Sequence, residues 1–152
     1  MRVALYASFR EELDSGPLLR LARQRGCRIF LPRIDPRTVG MKFVEAPAGA
    51  RETLNHLGIV EPHGTRSIPA RWLDLVLLPL VGFDAHGMRL GMGGGYYDRT
   101  FAFRNRHTAW RGPRLVGVAY SFQQVPSIAR EAHDVRLDAV VTEAGVIRCS
   151  TG

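Results

Sequence analysis

The chain has 152 residues, 45% of them apolar and 9% aromatic, enough for one domain with a sizeable core and too apolar for a disordered segment. No apolar run reaches membrane-spanning length, and the N-terminus has no signal-peptide pattern. The net charge of +7, carried almost wholly by arginine, suits polyanionic small molecules, but the scattered arginines match no nucleic-acid motif.

Arg2 to Ala7 reads as the first strand, and Phe9 to Ser15 as the loop at its carboxyl end. Asp14 or Ser15 caps a helix beginning near Pro17, with Leu18, Leu19, Leu21 and Ala22 on its apolar side and Gly26 closing it. Cys27 to Leu31 is the next strand, and Met41 to Val44 another. Arg51 to Leu57 is predicted as a short helix ended by Gly58, and Ser67 to Arg71 as connecting loop. Leu73 to Val81 is a buried strand, and Tyr96 to about His107 a helix. Leu115 to Tyr120 and Leu137 to Thr142 are strands, and Val146 to Arg148 is a short edge. Helices after many of the strands favour a single α/β domain over residues 1–152, a largely parallel sheet with helices on both faces. Ligands of such sheets bind beyond the carboxyl ends of the strands.

The most telling stretch is LDLVLLPLVGFDAHGMRLGMGGGYYDR, Leu73 to Arg99. An apolar run leads into a loop holding Gly91, Gly93, Gly94 and Gly95, with Arg89 before it and Tyr96, Tyr97, Asp98 and Arg99 after it. Glycines admit positive φ and close approach, so successive N–H groups can converge on an anion. A helix starting at Tyr96 adds its free N–H groups, and flanking arginines can pair with phosphate oxygens. The loop is neither Walker-type, since Tyr96 and Tyr97 replace the Lys-Ser/Thr, nor dinucleotide-type, since Tyr96 stands at the third glycine position.

The other polar residues are read in two ways. Asp98, in the first turn of the helix, either complements its dipole or holds Mg²⁺ against phosphates. Asp84 braces the turn Asp84-Ala85-His86-Gly87, and His86 and His133 are turn residues without triad spacing. Asp134 is a loop or cap aspartate, and Asp138 a solvated strand residue. Ser8 and Ser121 have no nucleophile context, and Trp72 and Trp110 are packing residues. Cys27 and Cys149 read as unpaired thiols of a reducing cytoplasm.

FDAHGMRLGMGGGYYDR resembles the signature of the 5-formyltetrahydrofolate cyclo-ligases, or methenyltetrahydrofolate synthetases. LYASFREELDS at Leu5 to Ser15, Leu31-Pro32, GIVEP at Gly58 to Pro62, VGVAY at Val116 to Tyr120 with Gln123, EAHDVRLD at Glu131 to Asp138, and Thr142-Glu143 resemble the rest of the family pattern in the same order. The resemblance implies ATP- and Mg²⁺-dependent conversion of 5-formyltetrahydrofolate to 5,10-methenyltetrahydrofolate with release of ADP and phosphate, in the cytoplasm. It implies ATP phosphates on Arg89, Leu90, Gly91, Met92, Gly93, Gly94, Gly95, Tyr96 and Tyr97. Arg89 and Arg99 would balance charge on the moving phosphoryl group, and Asp98 and Asp134 would hold Mg²⁺. For the folate it implies Phe9, Glu12, Asp14, Glu61, Gly93 and Tyr96, with Tyr120 nearby; for Asp14 the helix-cap reading stands beside it. Ser15 stands where the family commonly has threonine.

The family carries a leading helical segment with ATP-contacting basic residues ahead of the strand matched by Arg2 to Ala7. This sequence begins at that strand, so the expectation is an ATP pocket open on one side and a first strand less well covered. The alternative readings are a non-catalytic folate- or nucleotide-binding relative and a basic nucleic-acid-binding domain. A small-molecule folate, possible as a polyglutamate, is the expected partner, with neither nucleic acid nor membrane.

Overall fold

The computed structural model describes residues 1–106 and 112–150. The end of the helix predicted to reach His107 lies outside the described residues, as does Trp110. In chain order the elements are β1 (Arg2–Ala4), α1 (Gly16–Gln24), β2 (Arg28–Asp35), β3 (Gly40–Glu45), β4 (Glu52–Leu54), β5 (Val60–Pro62), β6 (Ser67–Ile68) and β7 (Leu75–Pro79). They continue with β8 (Gly82–Phe83), β9 (Arg89–Leu90), α2 (Tyr96–Phe101), α3 (Phe103–Arg106), β10 (Arg114–Val118), β11 (Ala139–Thr142) and β12 (Gly145–Arg148).

The main sheet is eight-stranded, in the order β12-β11-β10-β7-β1-β2-β3-β6. From β11 to β2 every neighbouring pair is parallel, whereas β12, β3 and β6 join antiparallel at the edges. Alternation along the strands sends residues to two faces. On one, Val3, Leu5, Ile29 and Leu31 meet Leu18, Leu19 and Ala22 of α1. On the other, Ala4, Phe30, Phe43, Val76, Leu78 and Val140 enclose Phe101 of α2, with Tyr97 and Phe103 packed against them. Each fully buried Phe or Leu contributes about 1.5–3 kcal/mol relative to exposure. Helices therefore cover both faces, as the alternating pattern predicts. The first strand is not thinly covered: Val3 to Tyr6 are 0–2% exposed.

Three predicted elements differ. Arg51 to Leu57 is not a helix; Glu52–Leu54 pairs antiparallel with Val60–Pro62 as a hairpin. Its turn is built by Asn55, whose Oδ1 accepts from the N–H groups of Leu57 and Ile59, and by Gly58 at φ +77°. The Ser67 to Arg71 loop contains the short strand β6 and leads into a 3₁₀ turn, Ala70–Trp72, with Trp72 half exposed rather than packed. The helix after the glycines breaks at Ala102, so that Phe101 and Phe103 both turn toward the core.

Salt links fasten the edges. Asp74 is bonded by Arg2, Glu45 by Arg28 and Arg66, and Asp35 by Lys42 and the Arg37 N–H. The Arg2 guanidinium holds the Asp74 carboxyl below its ordinary range, that of Arg28 does the same for Glu45, and the Arg37 N–H followed by Lys42 does so for Asp35. Because these folded values lie below the unfolded ones, the stabilisation is complete above about pH 4 and is lost as pH falls through the folded values. The thermal midpoint is therefore expected to fall between pH 6 and pH 3 and to be recovered on return. A midpoint flat across that range would remove these carboxylates from the stability account.

Candidate active site

Strand order decides where a site can form. From β1 the chain crosses by α1 to β2 on one side; from β7 it crosses by α2 and α3 to β10 on the other. Strands β1 and β7 are neighbours, so the loops leaving them diverge and open a crevice at their carboxyl ends. These two loops are the Phe9 to Ser15 segment and the glycine-rich segment.

The first loop is tightly self-bonded. The Phe9 N–H donates to Glu12 Oε2 at 3.0 Å, and the Glu12 N–H donates to the Phe9 carbonyl at 3.2 Å. Arg10 takes φ +54°, and its guanidinium lies over the Phe9 ring. The Ser15 N–H donates to Ser8 Oγ, and Ser15 Oγ donates to the Tyr6 carbonyl. Tyr6, almost fully buried, donates its hydroxyl to the Leu13 carbonyl at 2.7 Å. Burial raises the Glu12 carboxyl above the usual carboxylate range, the Phe9 N–H opposing it. Asp14 Oδ1 accepts from the Gly16 N–H at 2.9 Å in a local turn at the start of α1, whose N-cap residue is Ser15 and makes no side-chain capping bond. The other reading of Asp14, as a folate contact, shares the same side chain.

The second loop has two left-handed glycines, Gly93 at φ +91° and Gly95 at φ +64°. A Cβ at Gly91 or Gly93 would meet nothing within 4 Å, whereas one at Gly94 would strike the Tyr96 ring at 2.8 Å. The flank at Gly91 and Gly93 is therefore open to a ligand, and Gly94 is closed by Tyr96. Among the described residues the N–H groups of Gly91 to Gly95 donate to no protein acceptor. Leu90 and Met92 are exposed beside them.

The charged residues of the motif act first as braces. Arg89 is 8% exposed; its Nη1 donates to the Val135 carbonyl at 2.6 Å and its Nη2 to Asp98 Oδ1 at 2.9 Å. The same Oδ1 accepts from the Val135 N–H at 3.0 Å. Asp98 thus fastens α2 to β9 and to the segment carrying Asp134. Arg99 donates to the carbonyls of Gly94 and Val39 and lies over the Tyr96 ring at 5.0 Å. Gly93, Gly94, Gly95, Asp98, Arg99, Ala102 and His133 line a cleft of about 410 Å³.

Asp134 Oδ2 accepts from the Glu131 N–H at 2.8 Å, and Oδ1 lies 3.7 Å from His133 Nε2. No group of three or more His, Cys, Asp or Glu side chains gathers to bind a metal among the described residues. Mg²⁺ needs no such cage: it takes one or two carboxylates plus phosphate and water. Asp98, lining the cleft with Gly93, Gly94 and Gly95, and Asp134 supply the kind of carboxylate oxygen such an ion takes.

Tyr97 packs against the core cluster beneath the glycine loop. Burial raises its phenol, and the charge of Glu12 adds to that, opposed by Arg89. Glu61 does not face the crevice as a free carboxylate: Oε1 accepts from the Ile34 N–H at 2.9 Å and from Asn55 Nδ2 at 3.0 Å, fixing the hairpin to β2. The hairpin tip still reaches the first loop, with Phe9 3.7 Å from where a Gly58 Cβ would stand. Tyr120 stacks on the exposed Phe122 at 5.5 Å. Sequence reasoning had passed over His133 as a turn residue; its position beside Asp134 was the available signal. It had also read Asp138 as solvated, whereas Asp138 clasps Arg104 and the Leu115 N–H.

The family model described as the 5-formyltetrahydrofolate cyclo-ligase family matches residues 1–143. The chain is 37% identical over 147 residues to the 5-formyltetrahydrofolate cyclo-ligase of Escherichia coli strain K12, covering 95% of this chain and 79% of that one. The solution structure of Aquifex aeolicus 5,10-methenyltetrahydrofolate synthetase superposes with a TM-score of 0.80 at 32% identity, covering 99% of this chain and 73% of that one. A 5,10-methenyltetrahydrofolate synthetase from Mycoplasma pneumoniae gives a TM-score of 0.66 at 26% identity, over 91% of this chain and 71% of that one.

Proposed function

The chain belongs to the 5-formyltetrahydrofolate cyclo-ligase family, and on that premise we propose that it uses ATP and Mg²⁺ to close 5-formyltetrahydrofolate to 5,10-methenyltetrahydrofolate, releasing ADP and phosphate. One observation carries this reading: the two loops that diverge between β1 and β7 put an open, unspent row of glycine N–H groups beside a segment with a half-buried carboxyl.

The formyl group on N5 is an amide, and its oxygen does not leave as hydroxide at a useful rate. When that oxygen attacks the γ-phosphorus, the bond to ADP breaks and the oxygen becomes part of a good leaving group. N10 then bonds to the activated carbon, loses its proton, and phosphate departs carrying the formyl oxygen. Such chemistry needs alignment and charge balance rather than a protein nucleophile. The N–H groups of Gly91 to Gly95 would bind phosphate oxygens, with Leu90, Met92, Tyr96 and Tyr97 around them. Arg99, on the rim of the cleft, would turn from the Gly94 and Val39 carbonyls to the transferred group. Arg89, already engaged, would keep Asp98 in place and supply positive charge behind it. Asp98 and Asp134 would hold Mg²⁺, which supplies neutralisation of phosphate charge when bound. Phe9, Glu12, Gly93 and Tyr96 would contact the folate, with Asp14 and Glu61 shaping that pocket through the turn at the start of α1 and the hairpin.

The cytoplasm is the proposed place of action: Cys27 and Cys149 are unpaired, and among the described residues no helix is long and apolar enough to cross a membrane.

The test is methenyltetrahydrofolate absorbance with purified protein, 5-formyltetrahydrofolate and Mg²⁺, with and without ATP. Oxygen-18 in the formyl group is expected to appear in the released phosphate. Gly93→Ala, which adds a methyl into open space at φ +91°, is expected to raise KM for ATP by roughly tenfold or more, a 1–2 kcal/mol conformational and steric penalty. An unlabelled phosphate, or product without ATP, would overturn the mechanism.

A further inference from the structure

The turn between β2 and β3 reaches across to the glycine loop. It runs Pro36-Arg37-Thr38-Val39, between Asp35 and Gly40, which pair in the ladder. Its entry is pinned. The Asp35 carboxylate accepts from the Arg37 N–H at 3.0 Å and from Lys42 at 3.1 Å, and the Asp35 carbonyl accepts from the Thr38 N–H at 3.2 Å. Its exit is strained. Val39 takes φ +54°, a left-handed conformation that β-branched residues disfavour and that hairpin loops usually give to glycine or asparagine. A glycine stands next in the chain, yet Gly40 is not among the residues with positive φ.

Two contacts from α2 hold this arrangement. Arg99 Nε donates to the Val39 carbonyl at 2.8 Å, while Nη2 of the same guanidinium donates to the Gly94 carbonyl at 2.7 Å. Thr100 Oγ1 accepts from the Met41 N–H at 3.2 Å. The Val39 side chain is 57% exposed, so packing does little to keep the residue left-handed. Backbone strain persists only where its surroundings enforce it. At Val39 the enforcing group is the guanidinium that the transfer step would use. Once that bond is gone, the left-handed position can pass to Gly40, which adopts it without steric cost.

We propose that Val39 is a positioning residue for Arg99. Its carbonyl parks the guanidinium beside the glycines while ATP is absent, and relief of its strain offsets part of the cost of releasing Arg99 to the phosphates. The inference rests on the phosphoryl-transfer reading of the cleft. ATP binding and passage of the left-handed position from Val39 to Gly40 are then one coupled change, and each favours the other. The sign at Val39 follows. A residue at ease with positive φ stabilises the parked state, so it makes the protein more stable and its ATP binding weaker.

The experiment combines calorimetric titration with the β,γ-imido analogue of ATP and Mg²⁺, thermal melting, and trypsin cleavage after Arg37, which is exposed in the turn. Val39→Gly is expected to melt higher and to bind the analogue roughly fivefold more weakly, about 1 kcal/mol. Gly40→Ala denies the released state instead. Its Cβ would lie 3.7 Å from Thr38 Oγ1 and 3.9 Å from Thr100 Oγ1, ordinary contacts that the parked turn accommodates. Gly40→Ala should therefore melt near the unaltered protein and also bind the analogue roughly fivefold more weakly. In the unaltered protein, saturating analogue should speed cleavage after Arg37 severalfold, and in Gly40→Ala it should not. A Val39→Gly protein that melts higher but binds the analogue normally would confine the strain to the turn and overturn the inference. Analogue that binds without changing cleavage after Arg37 would also overturn it and leave the phosphoryl-transfer reading standing. Analogue that fails to bind the unaltered protein would overturn both.

Discussion

Asp98→Ala is expected to lower kcat/KM for ATP-dependent ring closure by about 10²–10³-fold, the scale of losing one preorganised electrostatic group at a reacting centre. The same change should cost about 3–5 kcal/mol of stability, because it leaves a buried guanidinium with its charge uncompensated. The physical basis is the double use of one side chain. Oδ1 joins Arg89 Nη2 at 2.9 Å and the Val135 N–H at 3.0 Å, and Arg89 is only 8% exposed. Asp98 also lines the cleft beside the glycines. Asp98→Asn separates the two uses: the amide oxygen can still accept both bonds, while the charge is gone. Asp98→Asn should therefore be less destabilised than Asp98→Ala, since both bonds survive although the Arg89 charge is left uncompensated, and should lose most of its turnover, with the deficit growing as Mg²⁺ is lowered. If Asp98→Asn turns over normally at limiting Mg²⁺, the residue is a brace alone and the ion is held elsewhere.

A loss of stability as large is expected at Asp84, which no ligand need touch. It is 1% exposed, and its carboxylate accepts from three backbone N–H groups: His86 at 2.9 Å and Met88 at 3.0 Å on Oδ1, and Ile128 at 3.0 Å on Oδ2. The first two close the β8–β9 hairpin that carries Arg89; the third fastens it to the segment after β10. Asp84→Ala strands all three donors in the core, a loss of about 3–5 kcal/mol by the cost of unpaired buried polar groups, or roughly 10 °C in the thermal midpoint. Asp84→Asn, which retains one acceptor oxygen, should fall between the two. Calorimetry that finds Asp84→Ala within 1 °C of the unaltered protein would show that water or backbone movement satisfies those donors. Nearby Gly87 cannot vary either: at φ +84°, an added Cβ would lie 2.5 Å from the Leu137 carbonyl oxygen.

Local chemistry was legible where the decisive interaction is short in sequence. Asp84 as a turn brace, Gly26 closing α1 and the loop character of Gly91 to Gly95 depend on neighbours within a few residues. Arg51 to Leu57 is ambiguous in sequence because seven residues stopped by a glycine, Gly58, suit a short helix or a hairpin arm equally. The choice was made by Glu61, whose carboxylate ties Asn55 and Ile34 together from outside the segment. The break at Ala102 has the same origin: Phe101 and Phe103 cannot both reach the core from one continuous helix.

By itself the sequence determined the class of fold, the family and the loop on which phosphate would sit, because strand periodicity, glycine spacing and motif order are properties of the chain in one dimension. It did not determine that β1 and β7 are neighbours, or that Arg89 and Asp98 are spent on each other and on Val135. Those follow from which strands pair and from side chains meeting across separations of 9 to 46 residues. Burial and pairing are sums over the whole packed chain, so only the tertiary structure could turn a list of charged residues into braces on one side and an open crevice on the other.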